Sequence, residues 1–270
     1  MVELDKFYTK PHIALECFNQ LKEIIGEVII QYTFLEPSAG SGSFFNILPE
    51  DNRIGIDLKP ECENVIEMNF YDYIPENVNR PIITIGNPPF GRVSSDAVKF
   101  FNHSSRFSNY IAFIIPRTFK RVSLQNKLCL DFHLIYSKDL PKNCFEPNMD
   151  AKCCFQIWKK MEVKRNKIIY DTVHPDFELV AYGKKDSRNL PTVPKNCDFA
   201  MKAFGSNCGE ITKNTSKLRA KSFHFIKSKI DIEELIKRFK SLDYSIASDT
   251  VRQDSLGKGD LIYLYKEKYG

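Results

Sequence analysis

The sequence has 270 residues, 43% of them apolar and 27% charged, with a formal net charge of +5. That length and apolar content suit one large or two ordinary globular domains with a proper core, and no window approaches the roughly 18 uncharged apolar residues that span a bilayer. The opening MVELDKFYTK has acids and no apolar signal core, so export is not expected.

In chain order, HIALECFNQLKEII has apolar residues at helical spacing between Pro11 and Gly26 and predicts a helix. YTFLEP predicts a strand running into the turn SAGSG, with SFFNIL opening a second helix. RIGIDL, VIEMNF and PIITIGN predict three more strands. A helix over SSDAVKFFNHS, capped by Ser94 or Ser95, then leads to the strand YIAFIIP, a helix over QNKLCLDF, and the strands HLIYSKDL and KCCFQIWKK. Seven strands alternating with short helices indicate a parallel α/β sheet. Beyond about residue 160 the charged junction MEVKRNK gives way to short strand-like pieces, DFELVAY, CDFAMKAFG and SFHFIKS, and one amphipathic helix, DIEELIKRFKSL. This texture predicts a smaller α+β domain over 161–270 behind a first domain over 1–160.

The eight cysteines show no C-x-x-C or H-x-x-x-H spacing. Reduced thiols in a cytosol-like compartment and no metal site are expected. Charge divides unevenly: residues 1–158 carry 16 Lys+Arg and 19 Asp+Glu, whereas 159–270 carry 23 and 15, giving −3 and +8. A basic half fits a polyanionic partner or a solvated lysine-rich surface.

In LEPSAGSGSF a strand enters a loop with Gly40 and Gly42 ahead of a helix start, so backbone can approach a ligand closely. Glu36 ends that strand, suited to a positively charged ligand group. Asp57 ends the next one, suited to ribose hydroxyls or to capping a turn. The loop has no Lys or Arg to grip phosphate, which favours a cationic, phosphate-free adenosine compound over a dinucleotide or triphosphate. Further on, a buried strand stops in Gly86-Asn87-Pro88-Pro89-Phe90, where neither proline can donate to a ladder.

The order DKFYTKP, LEPSAGSGSF, GIDL, MNFYDY and IGNPPF, covering about the first 160 residues, resembles the amino-methyltransferases that use S-adenosylmethionine, particularly the gamma-class N(6)-adenine DNA methyltransferases. The resemblance implies a Rossmann-like methyltransferase sheet with a reversed seventh strand and a C-terminal target-recognition region. Carried over, it implies that Phe7, Tyr8, Thr9 and Pro11 close over the methionine end of the cofactor. Glu36, Pro37, Ser38, Ala39, Gly40 and Gly42 match the cofactor loop, and Asp57 the ribose carboxylate. Where the family often has Asp-Phe, this chain has Asn69-Phe70 with Asp72 beyond, so either Asn69 or Asp72 takes the adenine amino group.

The chemistry accounts for the catalytic motif. An aniline-like adenine amino group is a poor nucleophile because its lone pair is delocalised. The Asn87 side-chain carbonyl and the Pro88 backbone carbonyl can each accept one amino hydrogen. Pro88 and Pro89 hold that arrangement rigidly, and Phe90 offers a face on which an extruded base stacks. Phe145, expected in a loop before the seventh strand, is the candidate for a second face. His103, His133 and His224 have no partner pattern and read as structural or surface residues. The basic run with Lys213, Lys217, Arg219 and Lys221 is the candidate for a nucleic-acid backbone, most simply duplex DNA. Alternatives sharing the motif are an RNA adenine methyltransferase and a glutamine methyltransferase. The latter usually has a helical domain before the cofactor loop, where only about 34 residues stand here. A binding module that keeps the fold without activity is the third alternative.

Overall fold

The computed structural model describes residues 7–76, 79–148 and 151–270. The chain divides into two compact units, Met1–Lys167 and Ile168–Gly270.

In the first unit β1 is Tyr8–Thr9, α1 Pro11–Ile25, β2 Thr33–Glu36, β3 Arg53–Asp57, β4 Val65–Glu67 and β5 Ile82–Gly86. Then come α2 Ser95–Ser104, β6 Tyr110–Pro116, α3 Val122–Gln125, β7 Phe132–Asp139, β8 Phe145–Glu146 and β9 Cys153–Lys160. Seven of these strands form one sheet in the order β4-β3-β2-β5-β6-β9-β7. β2 to β6 run parallel, and β9 lies antiparallel between β6 and β7. This is the Rossmann-like sheet with a reversed last strand, as expected.

Alternation along β2 explains how both faces are covered. Phe34 meets Phe18 of α1 edge-on at 5.5 Å. Leu35, next in sequence and so on the opposite face, joins a core with Phe101 of α2, Phe113, Phe132 and Trp158. β2, β5 and β6 are buried along their whole length, so they read as continuous apolar runs.

Two expected helices are shorter. SFFNIL makes only a 3-10 turn over Phe45–Ile47, and QNKLCLDF lies almost wholly beyond the four-residue α3. Ser94 stands at the α2 start with φ 61°, but its hydroxyl pairs with Thr118 Oγ1 at 3.0 Å instead of capping the helix.

The second unit holds β10 Phe177–Val180, the hairpin β11 Gly183–Lys185 and β12 Pro191–Thr192, β13 Phe199–Lys202, β14 Ile211–Thr212, β15 Phe223–Ser228, α4 Ile232–Lys240 and α5 Lys258–Tyr269. Its antiparallel sheet has the order β10-β15-β13-β14. One face packs Phe177, Phe199, Met201 and Ile226 against Leu235 and Phe239 of α4 and Leu261 and Tyr265 of α5. α4 starts where Asp231 accepts the Glu234 N–H at 2.9 Å.

α5 corrects the expectation of a single C-terminal helix. Its buried Leu261, Ile262 and Tyr265 are flanked by partly buried Leu264 and Tyr269, and glycines stand at 257 and 259, so no clean apolar stripe marks it. The Tyr265 hydroxyl donates to Asp176 Oδ2 at 2.7 Å and accepts from Arg238 at 3.2 Å, joining α5 and α4 to the segment before β10. Tyr265→Phe removes both bonds and should lower the unfolding free energy by about 1 to 2 kcal/mol. Urea unfolding checks this through a lower midpoint at unchanged slope.

Candidate functional site

The carboxyl ends of β2, β3, β4 and β5 open on one cavity of about 400 Å³. The chain runs outward from β2 to β4 and then returns to β5, so the loops after β2 and β5 leave in opposite directions. A crevice at such a switch point is where open α/β sheets bind ligands.

The loop after β2 supplies one wall with Glu36, Pro37, Ser38, Ala39 and Gly40. Its shape is set by Asp57 at the end of β3. Asp57 Oδ2 accepts the Gly40 N–H and Oδ1 the Lys59 N–H, both at 2.8 Å. The carboxylate thus serves as a turn cap while also lining the cavity. Gly42 does not line it. With φ +86°, and with Asn46 Nδ2 2.6 Å from where a Cβ would stand, Gly42 is needed for the turn.

Asn69 and Phe70 line the cavity after β4, whereas Asp72 does not. The Asn69 oxygen already accepts the Tyr71 N–H at 3.2 Å, so it caps the 3-10 turn Phe70–Asp72 and has one remaining lone pair for a ligand. Of the two, Asn69 is the one placed at the cavity. Beside them stand residues that the sequence reading did not single out. Leu58 is 56% exposed, Met68 38% and Tyr71 39%, three apolar surfaces left open on the cavity wall. Each lies next to a motif residue at a strand end, and that adjacency was the available signal.

β5 ends at Gly86, with φ +151°, where a Cβ would stand only 3.2 Å from Glu36 Cγ, so the missing Cβ leaves room for the Glu36 side chain. Asn87 Nδ2 then donates to the Phe7 carbonyl at 3.2 Å, and the Asn87 carbonyl accepts the Ser38 hydroxyl at 3.1 Å. With the nitrogen so committed, the amide orientation is fixed, and Oδ1 is buried without a partner among the described residues. Pro88, Pro89 and Phe90 continue the wall. The Phe90 carbonyl accepts the Asp96 N–H at 3.2 Å at the start of α2. Gly91 lies between them with φ +66°, where a Cβ would collide with Asp96. Asp96 and Lys99 pair at 3.2 Å on the same wall.

The strap Phe7, Tyr8 and Thr9 lines the cavity, and β1 is held there by antiparallel pairing with β8. The Tyr8 ring covers Gly40 and its hydroxyl donates to Glu61 at 2.7 Å. Pro11 instead starts α1, exposed and away from the cavity.

Phe145 requires correction. It belongs to β8, not to a loop, is fully buried, and does not line the cavity. Its ring meets Phe90 edge-on at 6.1 Å. It therefore supports Phe90 from behind, because the pairing of β8 with β1 turns its side chain inward. His103, His133 and His224 each bond a backbone carbonyl, those of Tyr73, Val163 and Leu256. Lys213 is ion-paired with Glu233, while Lys217, Arg219 and Lys221 are exposed. Among the described residues no group of His, Cys, Asp and Glu could hold a metal ion, and no helix is long and apolar enough to cross a membrane.

Electrostatics single out Glu36. It is 2% exposed and Oε2 has no partner. Burial lifts its carboxyl well above the usual range, opposed by the Phe45 backbone N–H and reinforced by Asp57. Thr9 Oγ1 is also buried without a partner, so three polar atoms unpartnered among the described residues belong to the walls of this one cavity.

No family model matches the chain, and neither does any curated protein. Among solved structures, a Listeria monocytogenes protein assigned to the class I S-adenosylmethionine-dependent methyltransferases superposes with a TM-score of 0.46 at 14% identity, over 60% of this chain and 64% of that one. Less than two thirds of that protein is therefore spanned. The 23S rRNA methyltransferase ErmE gives 0.40 at 13% identity over 58% and 71%. The M protein of the type I restriction enzyme EcoKI gives 0.42 at 15% over 99% and 71%. Likeness this weak carries no argument about activity.

Two outcomes are expected. The folded chain holds the Glu36 proton more tightly than the unfolded chain, so the stabilisation is complete below the ordinary carboxylate pKa of about 4.3 and is lost as pH rises through the elevated folded value. Glu36→Gln should accordingly be more stable than the parent near pH 7 and no more stable near pH 4, as read from denaturation midpoints. Phe145→Ala should cost about 3 to 5 kcal/mol, as for a buried core ring, whereas Phe90→Ala costs clearly less. Equal costs in urea unfolding would place both rings in the same packing role.

Proposed function

We propose that the first unit binds S-adenosylmethionine and methylates the exocyclic amino group of adenine in DNA, with the second unit serving target recognition. The observation that carries this reading is the Asn87 oxygen. It is a buried acceptor with no donor of its own, fixed in direction by the bond from Nδ2 to Phe7 and followed by two prolines and an aromatic ring.

The residues fit the cofactor by their chemistry. Glu36 is a buried carboxylic acid with a free oxygen, suited to a cationic group that would draw it into the ionised form. Asp57 keeps acceptor capacity for ribose hydroxyls after its two backbone bonds. Leu58, Met68 and Tyr71 offer apolar faces to a flat heteroaromatic ring, and the remaining Asn69 lone pair suits an amino group. Bound S-adenosylmethionine supplies an electrophilic methyl group on its sulfonium.

What this chain adds is preparation of the nucleophile. Asn87 Oδ1 and the Pro88 carbonyl accept the two amino hydrogens, drawing the nitrogen toward tetrahedral geometry and facing its developing positive charge with fixed dipoles. Because Asn87 is already anchored and the prolines are stiff, little reorganisation accompanies the reaction. Phe90, backed by Phe145, provides the stacking face for a base taken out of the helix.

The reading is tested by incubating the protein with labelled cofactor and equal amounts of DNA, RNA and protein acceptor, then identifying the modified nucleoside or residue by mass spectrometry. Methylation confined to RNA adenine or to glutamine would overturn the substrate assignment. Asn87→Ala should lower turnover by roughly 100-fold or more, a larger effect than the weakening of cofactor binding that follows from releasing the strap at Phe7. Asp57→Ala should weaken cofactor binding by about 1 to 3 kcal/mol, the loss typical of charge-assisted hydrogen bonds. Near wild-type turnover in the Asn87 variant would remove the amide from the mechanism.

A further inference from the structure

The second unit presents an exposed aromatic ring on a turn that is otherwise unusually well tied down. Phe204 is 44% exposed although it directly follows the buried Ala203, the residue after β13. The turn is held from two sides. The Gly205 N–H donates to Asp254 and the Leu256 N–H to Ala203, both at 2.8 Å, with Phe204 facing Ser255 as a bridge. Ser255 is bound in turn to Ala247, and Ala203 N–H to the Ser222 carbonyl. Gly209 closes the turn at φ +99°, with the Tyr244 ring so near that any Cβ would overlap it. A large apolar side chain exposed on a rigid backbone is not explained by packing.

The same bonds fix its surroundings. Asn207 lies on the same turn, Arg252 and Gln253 lead into the anchored 254–256 segment, and Arg219 and Lys221 precede Ser222; all five are exposed. An aromatic face, three side chains of the types that read base edges and two cations of the type that grip phosphate are thus gathered at one end of the sheet. A protein-binding patch of this size would be expected to carry several apolar residues. Here one ring stands among amides and cations.

We infer that this end of the second unit, centred on Phe204 and Arg252, contacts the bases of the DNA substrate and sets which sequence is methylated. The inference rests on the nucleic-acid reading above and deepens it. Phe204 stacks on an exposed base or wedges a base step, Arg252, Gln253 and Asn207 address base edges, and Arg219 and Lys221 hold the backbone.

The test uses the full-length chain with Phe204→Ala, Arg252→Ala and, as a charge-matched control, Lys240→Ala on α4. Binding to a randomised duplex pool is followed by anisotropy, and the sites methylated in that pool are read by sequencing. Phe204→Ala and Arg252→Ala should each weaken duplex binding about tenfold and relax the preference at one or two positions. Unfolding midpoint and cofactor affinity should be unchanged, and the control should stay within about twofold. Unaltered binding and preference in both variants would overturn the proposal. So would an equal loss in the control, which would mean general electrostatics, or conversion of a dimer to a monomer with binding retained, which would mean self-association. The binding measurement stands without catalysis, so a wild-type chain that binds duplex but methylates only another acceptor refutes the function and still tests this surface.

Discussion

Asn87 joins three stretches of backbone that lie just beyond the ends of regular elements. Its side chain holds the strap at Phe7, its carbonyl holds the loop after β2 through Ser38, and the residue itself directly follows β5. The following Pro88 and Pro89 have no N–H to offer, so a sheet ladder cannot take over the task. The strap has one other regular attachment, the two-residue pairing of β1 with β8, extended by the Lys10 N–H bonded to the Cys144 carbonyl. The geometry of β8 follows from that duty. Holding β1 turns Phe145 into the interior, where it fixes the Phe90 ring from the side.

A second consequence concerns free energy. A buried polar atom left without a partner costs about 1 to 3 kcal/mol, in a molecule whose net stability is of order 5 to 15 kcal/mol. Thr9, Glu36 and Asn87 place three such atoms in one cavity, beside the exposed apolar faces of Leu58, Met68 and Tyr71. Both kinds of cost are relieved by the same event, the entry of a ligand with hydrogen-bond donors on one side and a flat apolar face on another. The fold thus holds these groups in place before anything binds.

The sheet was legible because each strand carries its own signal. Apolar runs such as IITIG and YIAFIIP end in glycine or proline, and burial on both faces makes the run continuous. Glu36, Asp57 and Asn87 were legible for a related reason: a residue at the carboxyl end of a parallel strand has its position set by the sheet. What failed depended on partners far along the chain. Nothing local in NCFEP announces that Phe145 pairs with Thr9, and nothing in MNFYDY tells which acid or amide faces the cavity once the Asn69 oxygen caps its own turn. α5 was missed because its apolar residues spread round the helix to meet both α4 and the sheet, leaving no stripe to read.

The charge distribution shows how a boundary changes an argument. Split at residue 158 the halves carry −3 and +8, but residues 168–270 alone carry 18 Lys+Arg against 14 Asp+Glu, or +4. The difference lies in residues 159–167, and three of their five cations are engaged within the first unit. The Arg165 guanidinium bonds the Phe132 and Leu128 carbonyls and lies over Trp158, Lys164 pairs with Asp131, and Lys159 lies over Tyr110. Within the second unit Arg188, Lys213, Arg238 and Lys266 are matched by acids, while Lys217, Arg219, Lys221 and Arg252 are exposed. A net field of this size is screened within about 10 Å at ordinary salt, so it steers a polyanion only weakly. Recognition of a polyanion by such a unit would therefore rest on contacts at short range, of the kind that the turn with Phe204 among exposed amides and cations offers.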